Sequence, residues 1–220
     1  MPVERDLEII RVLEPIDYTE ALRAQIARRI AIEESLLGNA LFLLEHTPVI
    51  TLGRNAHVEH ILKDASELAE MGIALQKASR GGDVTYHGPG QLVAYPVLDL
   101  RQWRKSIRWY LRSLEDVVIG VLASYGIPGR RVEGLTGVWV EGAKVAAIGI
   151  GVHNWVTYHG VSLNLAPDMA HLATIVPCGI ADKPVTSLKE LLRHPPAMDD
   201  VASRFEQAFR KVFLSAPTCS

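Results

Sequence analysis

The chain has 220 residues, 48% hydrophobic and 22% charged, a globular composition that can bury a real core and excludes a disordered tail or a disulfide-stapled miniprotein. Its 23 basic residues against 25 acidic ones leave a net charge of −2, too little for a general nucleic-acid or membrane-surface binder. Two cysteines make no disulfide framework, and Cys219 is the second-last residue, so the internal Cys178 is the thiol to explain. The first residues are charged and no apolar run approaches the roughly 18 residues of a membrane span. The expectation is one soluble, cytoplasmic domain over 1–220, with thiols kept reduced and no membrane or nucleic-acid partner.

Between Thr19 and Leu37, the residues Leu22, Ile26, Ile30, Leu36 and Leu37 recur at near-helical spacing, which predicts an amphipathic helix capped by Thr19. Ala40 to Glu45 and Val49 to Leu52, split by Thr47-Pro48, read as two strands joined by a turn, and Ile73 to Ala78 and Gln91 to Leu98 as two more. Ser106 to Tyr125 carries a long apolar stripe and stops at Gly126, the clearest helix of the chain. Thr136 to Val140 and Lys144 to Ile150 flank Glu141-Gly142 like a hairpin, and Trp155 to Leu165 is β-rich. Thr186 or Ser187 would cap a short helix to Leu192, and Asp199 or Asp200 a last one to Phe213. Helices at both ends with strands between them predict an α/β chain of the α+β sandwich kind, without βαβ alternation.

The stretch Arg80-Gly81-Gly82-Asp83-Val84-Thr85-Tyr86-His87-Gly88-Pro89-Gly90-Gln91 packs four glycines and a proline between two predicted strands. It reads as a substrate-cradling loop or as an ordinary glycine-rich hairpin loop. Nucleotide motifs fail: Gly137 to Gly142 is followed by Ala143-Lys144 rather than Lys-Ser/Thr, and Gly149-Ile150-Gly151 runs on to Asn154 where a dinucleotide fingerprint needs glycine. His57 and His60 lack the partners of a metal pair, so no metal and no cofactor are expected. Lys144, in an otherwise uncharged strand, is costly unless it faces water or has a partner. Set beside Cys178, it would stabilise a thiolate and move protons; otherwise Cys178 is core and Lys144 an edge residue. Tyr158-His159-Gly160 repeats the triplet Tyr86-His87-Gly88, as if two segments lined one site.

The glycine-rich stretch, Lys144 to Gly149, Thr157 to Gly160, and Pro177-Cys178-Gly179 followed by Val185-Thr186-Ser187-Leu188 closely resemble the lipoyl(octanoyl) transferase family over residues 41–192. The resemblance implies the biotin/lipoate protein ligase-like fold, a mixed, largely antiparallel sheet flanked by helices. It implies octanoyl transfer from octanoyl-acyl carrier protein to a lysine of lipoyl domains of 2-oxoacid dehydrogenase complexes or of glycine cleavage H protein, by a monomer. Cys178 matches the acyl-thioester nucleophile and Lys144 the acid/base. Arg80, Gly81, Gly82, Asp83, Val84, Thr85, Tyr86 and His87 match substrate-lining positions, as do Ala147, Ile148 and Gly149, and Gly160, Val161 and Ser162. The rival readings are an ATP-dependent ligase of the same fold, a hydrolase pairing Cys178 with His87 or His159, and a non-catalytic acyl-binding protein. Arg101, Arg104, Lys105, Arg108 and Arg112 at helical intervals suggest a basic stripe for the acidic carrier.

Overall fold

The computed structural model describes residues 6–12, 14–176 and 184–215. Among the described residues, ten strands and six helices follow in chain order: β1 Leu7–Arg11, α1 Tyr18–Glu33, β2 Asn39–Leu44, β3 Val49–Leu52, α2 Ala65–Glu70, β4 Ala74–Lys77, β5 Val84–His87 and β6 Gln91–Val97. The second half adds α3 Ile107–Ala123, β7 Arg130–Val132, β8 Leu135–Val140, β9 Ala143–His153, β10 Val156–Asn164, α4 Met169–Leu172, α5 Leu188–Leu191 and α6 Met198–Phe213. Among the described residues, seven strands form a sheet in the order β1-β2-β6-β10-β9-β8-β7, antiparallel except for the β1–β2 pair. A smaller sheet, β4-β3-β5, pairs β3 with β4 in parallel and with β5 antiparallel.

Strand alternation builds the layers. Leu41 and Leu43 of β2 and Leu92 and Ala94 of β6 face α3 and α6, where Val117, Val121, Phe205, Phe209 and Phe213 are wholly buried. Their neighbours Ala40, Phe42, Leu44, Val93, Tyr95 and Val97 face α1 on the other side. A fully buried phenylalanine contributes about 1.5–3 kcal/mol, so the α3–α6 layer carries much of the stability. The mixed sheet flanked by helices agrees with the expected fold class.

Local details depart from expectation. Asp17, not Thr19, caps α1, accepting from the Thr19 and Glu20 N–H groups, because a carboxylate also complements the helix dipole. That helix stops at Glu33, and Leu36 and Leu37 are 70% and 51% exposed beyond it. Its buried face is Tyr18, Ala21, Gln25 and Ile32 rather than the Leu22–Ile26–Ile30 line. The strands β2 and β3 do not pair; they enter different sheets. Val84–His87, read as loop, is a strand, since Val, Thr and Tyr favour extended backbone despite glycine neighbours. The short β1, β7 and α2 carry too few residues to show a period, although Asp64 and Glu67 form a capping box around α2. Ser187 precedes α5 without a side-chain cap, and Ala197, not an aspartate, precedes α6. Of the basic residues at 101–112, Arg101 lies in a short 3-10 turn bonded to Asp99 and Arg112 is bonded to buried Glu115, while Arg104, Lys105 and Arg108 are exposed around the start of α3.

Candidate active site

The Arg80–Asp83 loop is braced by its own arginine. The Arg80 guanidinium donates to the Thr51 carbonyl and hydroxyl, both at 2.7 Å, and to the Asp83 carbonyl at 2.7 Å. Its charge is therefore engaged in holding the loop, and its stem packs on Gly149, where an added Cβ would lie 3.0 Å from Arg80 Cδ. Gly53 makes the close approach possible: a Cβ there would stand 2.2 Å from the Gly82 carbonyl oxygen. Asp83 closes the loop by accepting from the His57 and Val84 N–H groups at 2.9 and 2.8 Å, and it pairs with His60 Nδ1 at 2.5 Å. Burial alone would raise this carboxyl, but those hydrogen bonds hold it below the usual range. So His57 and His60 serve the loop, and no cluster that could hold a metal ion is present among the described residues.

Behind the loop lies a small cavity of about 40 Å3 at the junction of α1, β5, β6, β9 and β10. Gly81, Gly82, Thr85, His87, Ala147, Ile148, Gly149, Gly160, Val161 and Ser162 all reach it, so most of the residues singled out in the sequence converge. Ala147 and Ser162 are direct register partners, as are Gly149 and Gly160. Val84 does not converge: alternation along β5 turns it into the core beside Ile50 and Leu68, while Thr85 and His87 face the cavity. Tyr86, on the Val84 side, bonds His171 Nδ1 at 2.9 Å, and burial lifts its hydroxyl to about 12.

The two Tyr-His-Gly triplets do bring His87 and His159 to this one cavity. His159 stands in the left-handed region at φ 58°, and its N–H donates to Gln25 Oε1 at 2.7 Å. Burial pushes its imidazole down to about 3 and drives His87 well below the normal range. His46, its Nε2 2.8 Å from the Tyr95 hydroxyl, is lowered by burial to about 4. Tyr18 lies 97% within the protein, and its buried hydroxyl has no hydrogen-bond partner among the described residues. Tyr18, His46 and Tyr95 escaped the sequence reading because nothing local marks them; only the spacing of α1, β2 and β6 in space joins them.

Lys144 is 6% exposed near the start of β9, its Nζ 5.1 Å from the centre of the Trp139 ring. Room for its stem comes from Gly137 at φ 129°, where a Cβ would fall 2.8 Å from Lys144 Cε. The lysine main chain is clasped by the segment returning from 177–183, through Lys144 N–H to the Pro184 carbonyl and Thr186 N–H to the Lys144 carbonyl. Ile175 and Val185, on either side of that segment, wall one cavity with Lys144, Thr85, Ala147 and Ser162. Cys178 itself lies outside the described residues. A chain of side-chain hydrogen bonds, His87 to Gln91 to Asn164 to the Thr186 carbonyl, ties this corner to the histidine cavity.

Residues 15–210 match the lipoyl protein ligase A/B catalytic domain. The chain belongs to that family. An octanoyltransferase of Solibacter usitatus is 46% identical over 204 residues, 93% of this chain and 92% of that protein. A bi-partite lipoate protein ligase from Thermoplasma acidophilum superposes with a TM-score of 0.74 at 18% identity, covering 96% of this chain and 84% of that one. A biotin protein ligase from Aquifex aeolicus shares the fold more loosely, with a TM-score of 0.52 at 14% identity over 93% and 71% of the two chains. No helix among the described residues is long and apolar enough to cross a membrane.

Proposed function

We propose that this enzyme transfers an octanoyl group from an acyl carrier protein thioester to a lysine of a lipoyl domain, in 2-oxoacid dehydrogenase complexes or glycine cleavage H protein, through a thioester on Cys178. The octanoyl transfer reading draws on the 46% identity to an octanoyltransferase along nearly the whole chain. The observation that carries the Cys178–Lys144 pairing is the cavity in which the buried lysine meets Ile175 and Val185, the chain flanking Cys178.

In the first step the Cys178 thiolate attacks the donor carbonyl carbon, the donor C–S bond breaks, and the Lys144 ammonium gives its proton to the departing carrier thiolate. In the second, the neutral acceptor amine attacks the Cys178 thioester. The new C–N bond forms, the enzyme C–S bond breaks, and neutral Lys144 takes the amine proton, which restores thiolate and ammonium. One thioester becomes another and then an amide, so no nucleotide is consumed. Residues Gly81, Gly82, Thr85, Ala147, Gly149, Gly160 and Ser162 shape the acyl site, and neutral His87 and His159 line it without adding charge.

Intact-mass measurement after mixing with octanoyl carrier protein tests the reading. An octanoyl increment absent from Cys178→Ser, and discharged by a lipoyl domain, is expected. No increment on the wild-type chain, or modification of the lipoyl domain only with free octanoate and ATP, would overturn it.

A further inference from the structure

A second, larger cavity of about 600 Å3 runs along β9 outside the histidine cavity. Lys144 is at one end. At the other, the Gly81 N–H donates to the Ile150 carbonyl at 2.9 Å, and Arg54, whose N–H bonds the Arg80 carbonyl at 3.0 Å, stands on that loop. From Lys144 to Ile150 is six residues of strand, about 20 Å at roughly 3.3 Å per residue. The facing wall is apolar: Ile107, 41% exposed, and Leu111 of α3.

Arg54 differs from the braced arginines of the molecule and shares with exposed Arg108 of α3, beside Ile107 and Leu111, the lack of a carboxylate partner among the described residues. Arg80 is bonded to Thr51 and Asp83, Arg101 to Asp99, and Arg112 and Arg131 to Glu115. The exposed Arg54 guanidinium has no hydrogen bond or carboxylate partner among the described residues. Its main chain is nonetheless fixed, because Gly53 and Asn55 also donate to the Asp83 and Gly82 carbonyls, and Gly53 tolerates no side chain. The neighbouring Asp83 carboxylate bonds His57, His60 and Val84 rather than Arg54. An exposed guanidinium on a fixed main chain, lining the same elongated cavity as Lys144 with the Lys144–Ile150 stretch of β9 along it, fits an elongated donor with an anion at its far end.

We propose that Arg54 binds the phosphodiester of the carrier protein's phosphopantetheine arm, which lies along this cleft with its thioester at the Lys144 end. The inference rests on the carrier-thioester reading above. Arg54 forms a bidentate charge-assisted pair with the phosphate, and Ile107 and Leu111 meet the methyl groups of the pantoyl unit. The site thus selects the donor by its arm, apart from the acyl chain.

Steady-state transfer from octanoyl-phosphopantetheine and octanoyl-pantetheine isolates the phosphate. The wild-type enzyme should show a KM about tenfold lower for the phosphorylated donor, and Arg54→Gln should bring that ratio close to one, with Arg54→Lys between. Arg54→Gln should also raise KM for octanoyl carrier protein with little change in kcat. Equal KM for the two small donors in the wild type, or a ratio that survives in Arg54→Gln, would overturn the proposal. Octanoyl-coenzyme A used as well as the carrier would reassign the arm to that source and overturn the commitment to the carrier. A wild-type enzyme that transfers from none of these donors would instead refute the octanoyl-transfer reading, and this inference with it.

Discussion

The two ends of the site are built on opposite electrostatic plans. At one end a buried lysine keeps its amine against the face of Trp139, in a corner closed by chain flanking Cys178. At the other, Tyr18, His46, His87, Tyr95 and His159 form a buried polar cluster whose imidazoles are all held neutral by burial. In the proposed mechanism, proton traffic belongs to the first end and shape to the second. The described lining of the histidine cavity is mostly small or neutral, and its two charged side chains, Arg80 and Asp83, are bonded within the loop itself.

The sharpest way to break this division is Lys144→Met, which keeps the volume and removes the amine. It should cost about a hundredfold to ten-thousandfold in single-turnover transfer while leaving the thermal midpoint close to wild type. A variant that keeps its rate would move proton transfer to the histidine end.

Acid comes next. Below about pH 6.5 the unfolded chain takes up protons on His46, His87 and His159 that the folded protein refuses, since their folded values lie lower, about 4 for His46 and about 3 for His159. Stability is therefore fully present above about pH 6.5 and is lost as pH falls, by about 1.4 kcal/mol per histidine for each unit. Urea unfolding at pH 7.5 and 5.5 should show it, and His46→Gln should reduce the slope by close to one proton. A pH-independent midpoint would mean the imidazoles are not held neutral.

Smaller effects separate the two triplets. In the first, Gly88 makes room for its own neighbour, since a Cβ would lie 2.0 Å from the Tyr86 hydroxyl; in the second, Gly160 makes room for another strand, with a Cβ 2.2 Å from the Ala94 carbonyl. Backbone cannot swing aside as a side chain can, so Gly160→Ala should cost about 1–3 kcal/mol by denaturant unfolding and exceed Gly88→Ala. The least change is expected from Tyr18→Phe, which removes a buried hydroxyl without a partner among the described residues and should leave stability unchanged or raise it by about 1 kcal/mol. A marked loss of stability in Tyr18→Phe would show that the hydroxyl is satisfied after all.

Much of the fold was legible because its signals are local. The stripe of α3 with Ser106 before it, the Glu141-Gly142 turn with both residues at positive φ, and the apolar runs of β2, β6 and β10 each declare themselves within a dozen residues. The elements that escaped were short, as with β1, β7 and α2, or masked by glycine neighbours, as with β5. The order of the sheets was not legible, and the adjacent β2 and β3 went to different ones.

By itself the sequence determined which chemistry was at hand: a lysine in an apolar strand, a single internal thiol, glycines where backbone must come close, and the family pattern linking them. Only the tertiary structure decided how each group is spent. It used the Arg80 charge to brace the loop, turned Val84 into the core, tied Arg101 and Arg112 to carboxylates, and set Arg54 without a carboxylate partner among the described residues on a cleft shared with Lys144. The reason is range: periodicity records which face of an element is buried, whereas a cavity is defined by residues as distant in sequence as Tyr18 and His159, which meet only when helix and sheet pack.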